Sequence, residues 1–410
     1  MNYDELLINC IKANSYPTNL DLRFNKNSGF LLDKNTLNEF LLFKEETQSE
    51  YKIELPLIPF NSNKIFFYRT NELVATLLEY INFYKNDYDN IYNNKSIDEV
   101  LLGVICSELE GTLKIEGVNT TRRQIEKIIK SNNPKNINDK IILNMKKGID
   151  YISNTTIFNK ETLKELYNIL SDGCLNKDDE LKDKYYRDDM VYVSNHNGCP
   201  VNKIEECMDS LLKFVNDNIN SNNLYVRNLL PYIAHYYIIY IHPYFDYNGR
   251  TARMVQLWIF MLSNNLPALY LSEAINDNKN DYYKAIDETR NSRNDLTYFV
   301  TYLLKLVNLY SLVQKNMVEI KNNINNKGET ISPNELHYLK RIIINKDIKW
   351  FNYKKFIEFE GLDITKQGAL KILNKFENMG FILSKINSKN EKIFILNEDI
   401  LKYELHKDKM

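Results

Sequence analysis

The chain has 410 residues, a hydrophobic fraction of 44% and a formal net charge of −1, enough apolar side chain for two or three folded domains and no global charge that argues for nucleic acid or a membrane surface. No apolar run approaches the length that spans a bilayer, and the start, Met1-Asn-Tyr-Asp-Glu-Leu-Leu7, lacks the basic-then-apolar pattern of a secretory signal. The five cysteines (Cys10, Cys106, Cys174, Cys199, Cys207) are odd in number and show no CxxC spacing, which fits reduced thiols in a cytoplasmic protein and argues against a structural zinc site.

Residues 1–95 read as a mixed N-terminal extension, with an extended, proline-punctuated segment at Ile53-Glu-Leu-Pro-Leu-Ile-Pro59 and a helix at Asn71–Tyr80. Residues 96–312 read as a mainly α-helical core. Helices are expected over 97–116, 121–130, 138–152, 160–172, 203–217, 225–241, 249–263, 279–290 and 295–313. The first ends at Thr112-Leu-Lys-Ile-Glu-Gly117, where Thr112 and Glu116, four apart, face the same way and Gly117 reads as the residue that stops the helix. The Asn-rich pieces 132–138 and 276–280 read as loops. From Tyr186 to Ser194 the alternation of Val191 and Val193 with Tyr192 and Ser194 predicts a short strand entering a turn at Asn195-His-Asn-Gly198. In the last core helix Leu296, Phe299, Leu303, Leu306 and Leu309 repeat at helical spacing and are expected to be buried.

The densest chemistry lies at His242-Pro-Tyr-Phe-Asp-Tyr-Asn-Gly-Arg-Thr-Ala-Arg253, a polar loop between two apolar helix-like runs. His242 titrates near neutral pH and is the natural general base. Asp246 is a hard oxygen ligand suited to Mg²⁺. Asn248-Gly249 is a turn signal, and a helix beginning there would point free N–H groups into the loop, an anion site. Arg250 and Arg253 share one face of its first turn, where cations oppose the helix dipole unless an anion is bound. The set reads as a nucleotide phosphate site beside a histidine base.

This set closely resembles the signature of the Fic (Fido) family, H-x-F-x-(D/E)-G-N-G-R-x-x-R, at His242, Asp246, Asn248, Gly249, Arg250 and Arg253. Tyr244 stands for the Phe. Tyr247 replaces the first glycine, which the family uses to bring backbone close to phosphate; a tyrosine there must point away from the nucleotide or alter the pocket. The resemblance implies a protein adenylyltransferase that uses ATP and Mg²⁺. Asp246 would hold the metal, Asn248 and the Gly249 amide the phosphate oxygens, and Arg250 the β/γ-phosphates. His242 would take the proton from a Tyr, Ser or Thr hydroxyl of an unidentified target protein. The stretch Thr112–Gly117 resembles the family's (S/T)-x-x-x-E-(G/N) inhibitory motif. That implies a self-inhibited class in which Glu116, oriented by Thr112, pairs with Arg253 and keeps the γ-phosphate from seating productively. Val191, Tyr192 and Val193 would be the flap that pairs with the target by strand addition. Tyr283, in the pair that opens a helix, corresponds to an aromatic lining the adenine pocket. Two alternatives stay open: hydrolytic removal of AMP with Glu116 positioning the water, and a DNA-binding regulator whose core only senses nucleotide.

Residues 313–330 read as a helix end and linker running through Lys321–Glu329, and 331–410 as a separate domain. Ser332-Pro333 marks a helix start, Ile364–Gly380 places Ala369, Ile372, Leu373 and Phe376 on one face, and the alternating runs Phe381–Ile386 and Lys392–Leu396 form a hairpin. Three helices followed by a hairpin is a winged helix-turn-helix pattern, also common at the C-terminus of Fic proteins. Thr365, Lys366, Gln367, Lys371 and Lys375, with Lys385 and Lys389 near the wing, could contact DNA, but the module is only mildly basic, and winged helices also serve as homodimer or protein contacts.

Overall fold

A computed structural model of the chain describes residues 2–12, 16–24, 31–47, 50–86, 97–118, 120–193, 196–264, 271–360 and 364–402, and these are mainly α-helical. Two compact units emerge, residues 1–84 with 92–307 and residues 85–91 with 308–410.

The first unit opens with three helices that the sequence reading did not anticipate, α1 (Tyr3–Lys12), α2 (Asn19–Phe24) and α3 (Lys34–Glu46). Each is short, and each is held by a shared core rather than by its own propensity: Leu6, Leu7, Cys10, Ile11, Leu22, Leu37 and Phe40 cluster with Tyr16, Phe66, Tyr68 and Tyr298. Strands β1 (Lys52–Glu54) and β2 (Phe66–Tyr68) pair antiparallel, with Lys52 opposite Tyr68. Helix α4 (Asn71–Asn86) follows.

The helices around the site are α5 (Ile97–Ile115), α6 (Arg122–Ser131), α7 (Ile137–Asn154), α8 (Lys160–Ser171), α9 (Val201–Asn218), α10 (Leu224–Ile241), α11 (Asn248–Asn264), α12 (Leu271–Asp277), α13 (Lys279–Asn291) and α14 (Thr297–Asn326). Their ends follow capping chemistry. Thr121 and Gln124 form a capping box at α6, Asn132 ends it in the left-handed region, and the Asn136 side chain accepts from the Asp139 amide to start α7, so the Asn-rich stretch is the loop it was expected to be. The second Asn-rich stretch is not: only Asn278 separates α12 from α13. Helix α10 is buried on every side from Leu229 to Ile241, the pattern of a central helix; α9 and α11 pack on it. Leu296, Phe299, Leu303, Leu306 and Leu309 are buried as the periodicity required. Helix α14 runs on to Asn326, so the first part of the expected linker is helical.

A small hairpin, β3 (Tyr192–Val193) with β4 (His196–Asn197), pairs Tyr192 with Asn197 and Val193 with His196. Ser194 and Asn195, at its expected turn, lie outside the described residues. In the second unit, α15 (Pro333–Ile344), α16 (Tyr353–Glu360) and α17 (Lys366–Asn378) precede the antiparallel hairpin of β5 (Ile382–Ile386) and β6 (Lys392–Leu396). Ser332 and Glu335 close a capping box over Pro333, and Ala369, Leu373 and Phe376 face a core that includes Leu339, Phe356 and Phe394. Of the side chains considered for DNA contact, Lys375 donates to both carboxylate oxygens of Glu335 at 2.8 Å, Thr365 caps α17, and Lys385 sits 3.9 Å over the Trp350 ring.

Candidate active site

Helix α10 stops because His242 adopts φ 55°, ψ 61°, while its N–H still reaches the Ile238 carbonyl at 2.8 Å. The next five residues form a loop closed from within. Asn248 accepts from the Tyr244 amide at 3.0 Å and donates to the Tyr244 carbonyl at 2.8 Å. The Asn248 amide group thus shapes the loop, while the Gly249 and Arg250 N–H groups lie in the first turn of α11, at the positive end of its dipole.

Burial is the main reason that the His242 pKa falls to about 4; the Arg187 and Arg290 charges act in the same direction, against the Ile239 carbonyl and Asp246. The ring is therefore neutral near pH 7, the form a general base needs. Asp246 is the exposed member of the set, its side chain 55% accessible and only 3.4 Å from the Arg250 guanidinium, a long and weak pairing. Its carboxylate also accepts from the Tyr247 amide at 2.5 Å.

Tyr247, the departure from the family signature, sits at φ 65°, a conformation natural to glycine. Its ring is buried, and the Arg250 guanidinium carbon lies over it at 3.4 Å from the centroid. The ring neither projects from the loop nor displaces Arg250; it is the surface on which Arg250 rests.

Helix α5 meets the start of α11. Arg253 donates to Thr112 Oγ1 at 2.8 Å and to Glu116 Oε1 at 2.5 Å, so Glu116 and Arg253 are paired, and Thr112 holds Arg253 rather than the Glu116 carboxylate. The same carboxylate oxygen would be 2.7 Å from a Cβ on Gly249, which puts Glu116 against the start of α11. Burial alone would raise the Glu116 pKa, but the Arg253 charge and hydrogen bond, with Arg250 and Lys279, outweigh it and hold the carboxyl below its usual range. Three further contacts seat the helix. Lys279 donates to the Ile115 carbonyl at 2.5 Å. Gly111 lies so close to α12 that a Cβ would be 2.3 Å from the Ser272 carbonyl carbon. Glu108, one turn before Thr112, accepts from the Ser272 amide at 3.1 and 3.2 Å, and its burial raises its pKa to about 7.

The hairpin joins the loop through Arg187. Its Nε donates to the His242 carbonyl at 2.8 Å, and its amide to the Pro243 carbonyl at 3.0 Å. Tyr192 is 80% exposed at the hairpin's rim, with Val191 half-buried beside it; of Val193 the backbone alone is described. Tyr283 is half-exposed, and the Glu116 and Arg253 charges reach its hydroxyl. His242, Asp246, Asn248, Gly249, Arg250, Arg253, Thr112 and Glu116 are thus one constellation, with Tyr283 at its edge and the hairpin joined to its base. Glu108 and Arg187 escaped the sequence reading. Extending the Thr112–Glu116 stripe back one turn would have found Glu108; nothing periodic marks Arg187. Among the described residues no cluster of three His, Cys, Asp or Glu forms, and no helix is long and apolar enough to cross a membrane.

Residues 157–260 match the family model described as Fic/DOC family. The chain is similar to a Protein adenylyltransferase Fic from Nematostella vectensis, 25% identical over 168 residues that cover 40% of this chain and 37% of that protein. It is also similar to one from Drosophila persimilis, 26% identical over 226 residues that cover 52% of this chain and 44% of that protein. The chain thus spans less than half the length of these curated relatives. Among solved structures it is similar in fold to a Fic family protein from Desulfovibrio desulfuricans G20, with a TM-score of 0.51 and 17% identity over 80% of this chain and 96% of that one.

Proposed function

We propose that the chain is a Fic family protein, that it transfers AMP from ATP to a Tyr, Ser or Thr hydroxyl of a target protein, and that Glu116 restrains this activity. The reading rests above all on one observation: a neutral, buried-edge histidine closes the same loop that opens onto a helix N-terminus carrying Arg250 and Arg253. In the proposed reaction His242 takes the hydroxyl proton, the hydroxyl oxygen bonds to the α-phosphorus, and the bond to the β-phosphate breaks, releasing pyrophosphate. Arg250 and the first amides of α11 stabilise the charge that gathers on the phosphates. Asp246 fits Mg²⁺ as an exposed single carboxylate, since that ion is usually held by one or two carboxylates plus substrate phosphates; it would supply charge neutralisation there.

The restraint follows from charge. Among the described residues Glu116 is the carboxylate paired with Arg253, and a γ-phosphate would compete for the same guanidinium. Incubation with α-labelled ATP and Mg²⁺ tests both parts. Label should pass to protein weakly in the wild type, more strongly in Glu116→Gly, and not at all when His242→Ala is added. No label in any variant, with self-labelling and a cell extract both tried, would sink the transfer reading. The partners that would receive AMP, and contacts of residues 331–410 with DNA or a second copy, are separate proposals that this geometry supports less: Lys375 is already paired with Glu335.

A further inference from the structure

We infer that Arg187 is a positioning residue for His242, fixing the backbone of the base and the stem of the hairpin in one geometry. The inference rests on the reading of His242 as the base.

Arg187 is 2% exposed, and its hydrogen-bond partners among the described residues are carbonyls of three separate chain segments. Nε reaches His242, Nη1 reaches Asp189 at 2.6 Å and Nη2 reaches Cys199 at 2.5 Å. Two backbone bonds run alongside: the Arg187 amide to the Pro243 carbonyl at 3.0 Å, and the Cys199 amide to the Ile241 carbonyl at 3.1 Å. The three carbonyls on the loop side, Ile241, His242 and Pro243, are thus gripped in succession by the two sides of the hairpin stem. Gly198 accommodates this crowding: a Cβ there would be 2.9 Å from both Arg187 Nη2 and Val191 Cγ2.

The grip matters at this residue because His242 is in the left-handed region, where a non-glycine residue is held only by its surroundings. Left alone, the residue would relax toward an ordinary conformation and swing the imidazole. A buried cation with carbonyl partners is also a costly way to tie a turn; an uncharged side chain could bridge two segments, but only a guanidinium sends donors in three directions from one plane. The ring feels the charge as well. The charged groups that act on it are Arg187 from the hairpin stem, Arg290 from α13 and Asp246 from its own loop.

The test compares Arg187→Gln and Arg187→Lys in full-length Glu116→Gly protein. A misplaced base should lower kcat by about 100-fold with the KM for ATP unchanged, because no group that Arg187 touches belongs to the phosphate site. Lys should recover little, since one ammonium cannot serve three carbonyls. A fall in ATP affinity that accompanies the fall in kcat, or full activity in Arg187→Gln, would overturn the inference. An NMR readout separates this from failure of the transfer reading. The His242 ring resonance, assigned by its loss in His242→Gln, should move at fixed pH in Arg187→Gln while the resonance of buried His235 stays in place. If the parent protein transfers no AMP, the activity reading fails and the resonance still decides the role of Arg187. If the resonance is unmoved, the positioning role is wrong whatever the activity. A variant in which both resonances collapse has lost its fold; Arg187→Lys, which keeps the charge and most of the volume, then supplies the same comparison.

Discussion

Two segments reach the loop from His242 to Arg253, and they are fastened differently. The hairpin is tied by a buried guanidinium to main-chain carbonyls, groups that no ligand replaces. Helix α5 reaches the loop through the pair of Glu116 with Arg253, a side-chain pair whose cation suits a phosphate as well as a carboxylate. The first attachment is permanent and the second exchangeable. On the proposed reading, the site keeps its base in place while it releases its inhibitor, and that needs both kinds.

The strongest challenge to that contrast is Glu116→Gly. A hydrogen-bonded charge pair of this kind contributes about 1.5–3 kcal/mol, so its loss should raise the rate of AMP transfer by about 10-fold to 100-fold, measured with labelled ATP; equal rates would remove α5 from regulation. Gly111→Val attacks the same helix without touching a charge. Its side chain cannot share space with the Ser272 backbone, so α5 should lift, transfer should rise, and unfolding by urea should show a loss of about 1–3 kcal/mol. Lower stability with no gain in transfer would mean that α5 can shift without freeing Arg253. Tyr247→Gly tests whether the loop itself belongs to the permanent side. Removing the ring under Arg250 forfeits a cation–aromatic contact of about 0.5–1 kcal/mol, and ATP affinity by calorimetry should fall by about two-fold to five-fold, with Tyr247→Phe near the parent value. The smallest effect concerns Glu108. Its folded pKa, near 7, lies above its ordinary 4.5, so the folded state binds more protons between those values, and stability falls as pH rises through that window. Glu108→Gln should flatten this part of the melting-temperature profile; an unchanged slope would assign it to another group.

What the sequence made legible was whatever depends on short spacing. The loop from His242 to Arg253, the Thr112–Glu116 stripe and the capped helix ends are local patterns, and each appears where its spacing requires. Contacts made by backbone over long separations were not legible. Arg187 meets His242 across 55 residues, and no residue type announces that it will bond to a carbonyl. Helices α1 to α3 were missed because tertiary burial, not propensity, forms them. Tyr247 illustrates a middle case: its identity raised the right question, but its answer lay in a backbone angle and in the position of Arg250.

The loop also has a bearing on how stable this protein can be. His242 and Tyr247 both occupy the left-handed region, at a cost on the order of 1–3 kcal/mol each, within a loop that Asn248 closes on itself. Optimising this chain for stability alone would put glycine at both positions and relax the loop; it would also remove the histidine proposed as the base. The strained turn is where the fold and the chemistry compete, and the protein keeps the chemistry.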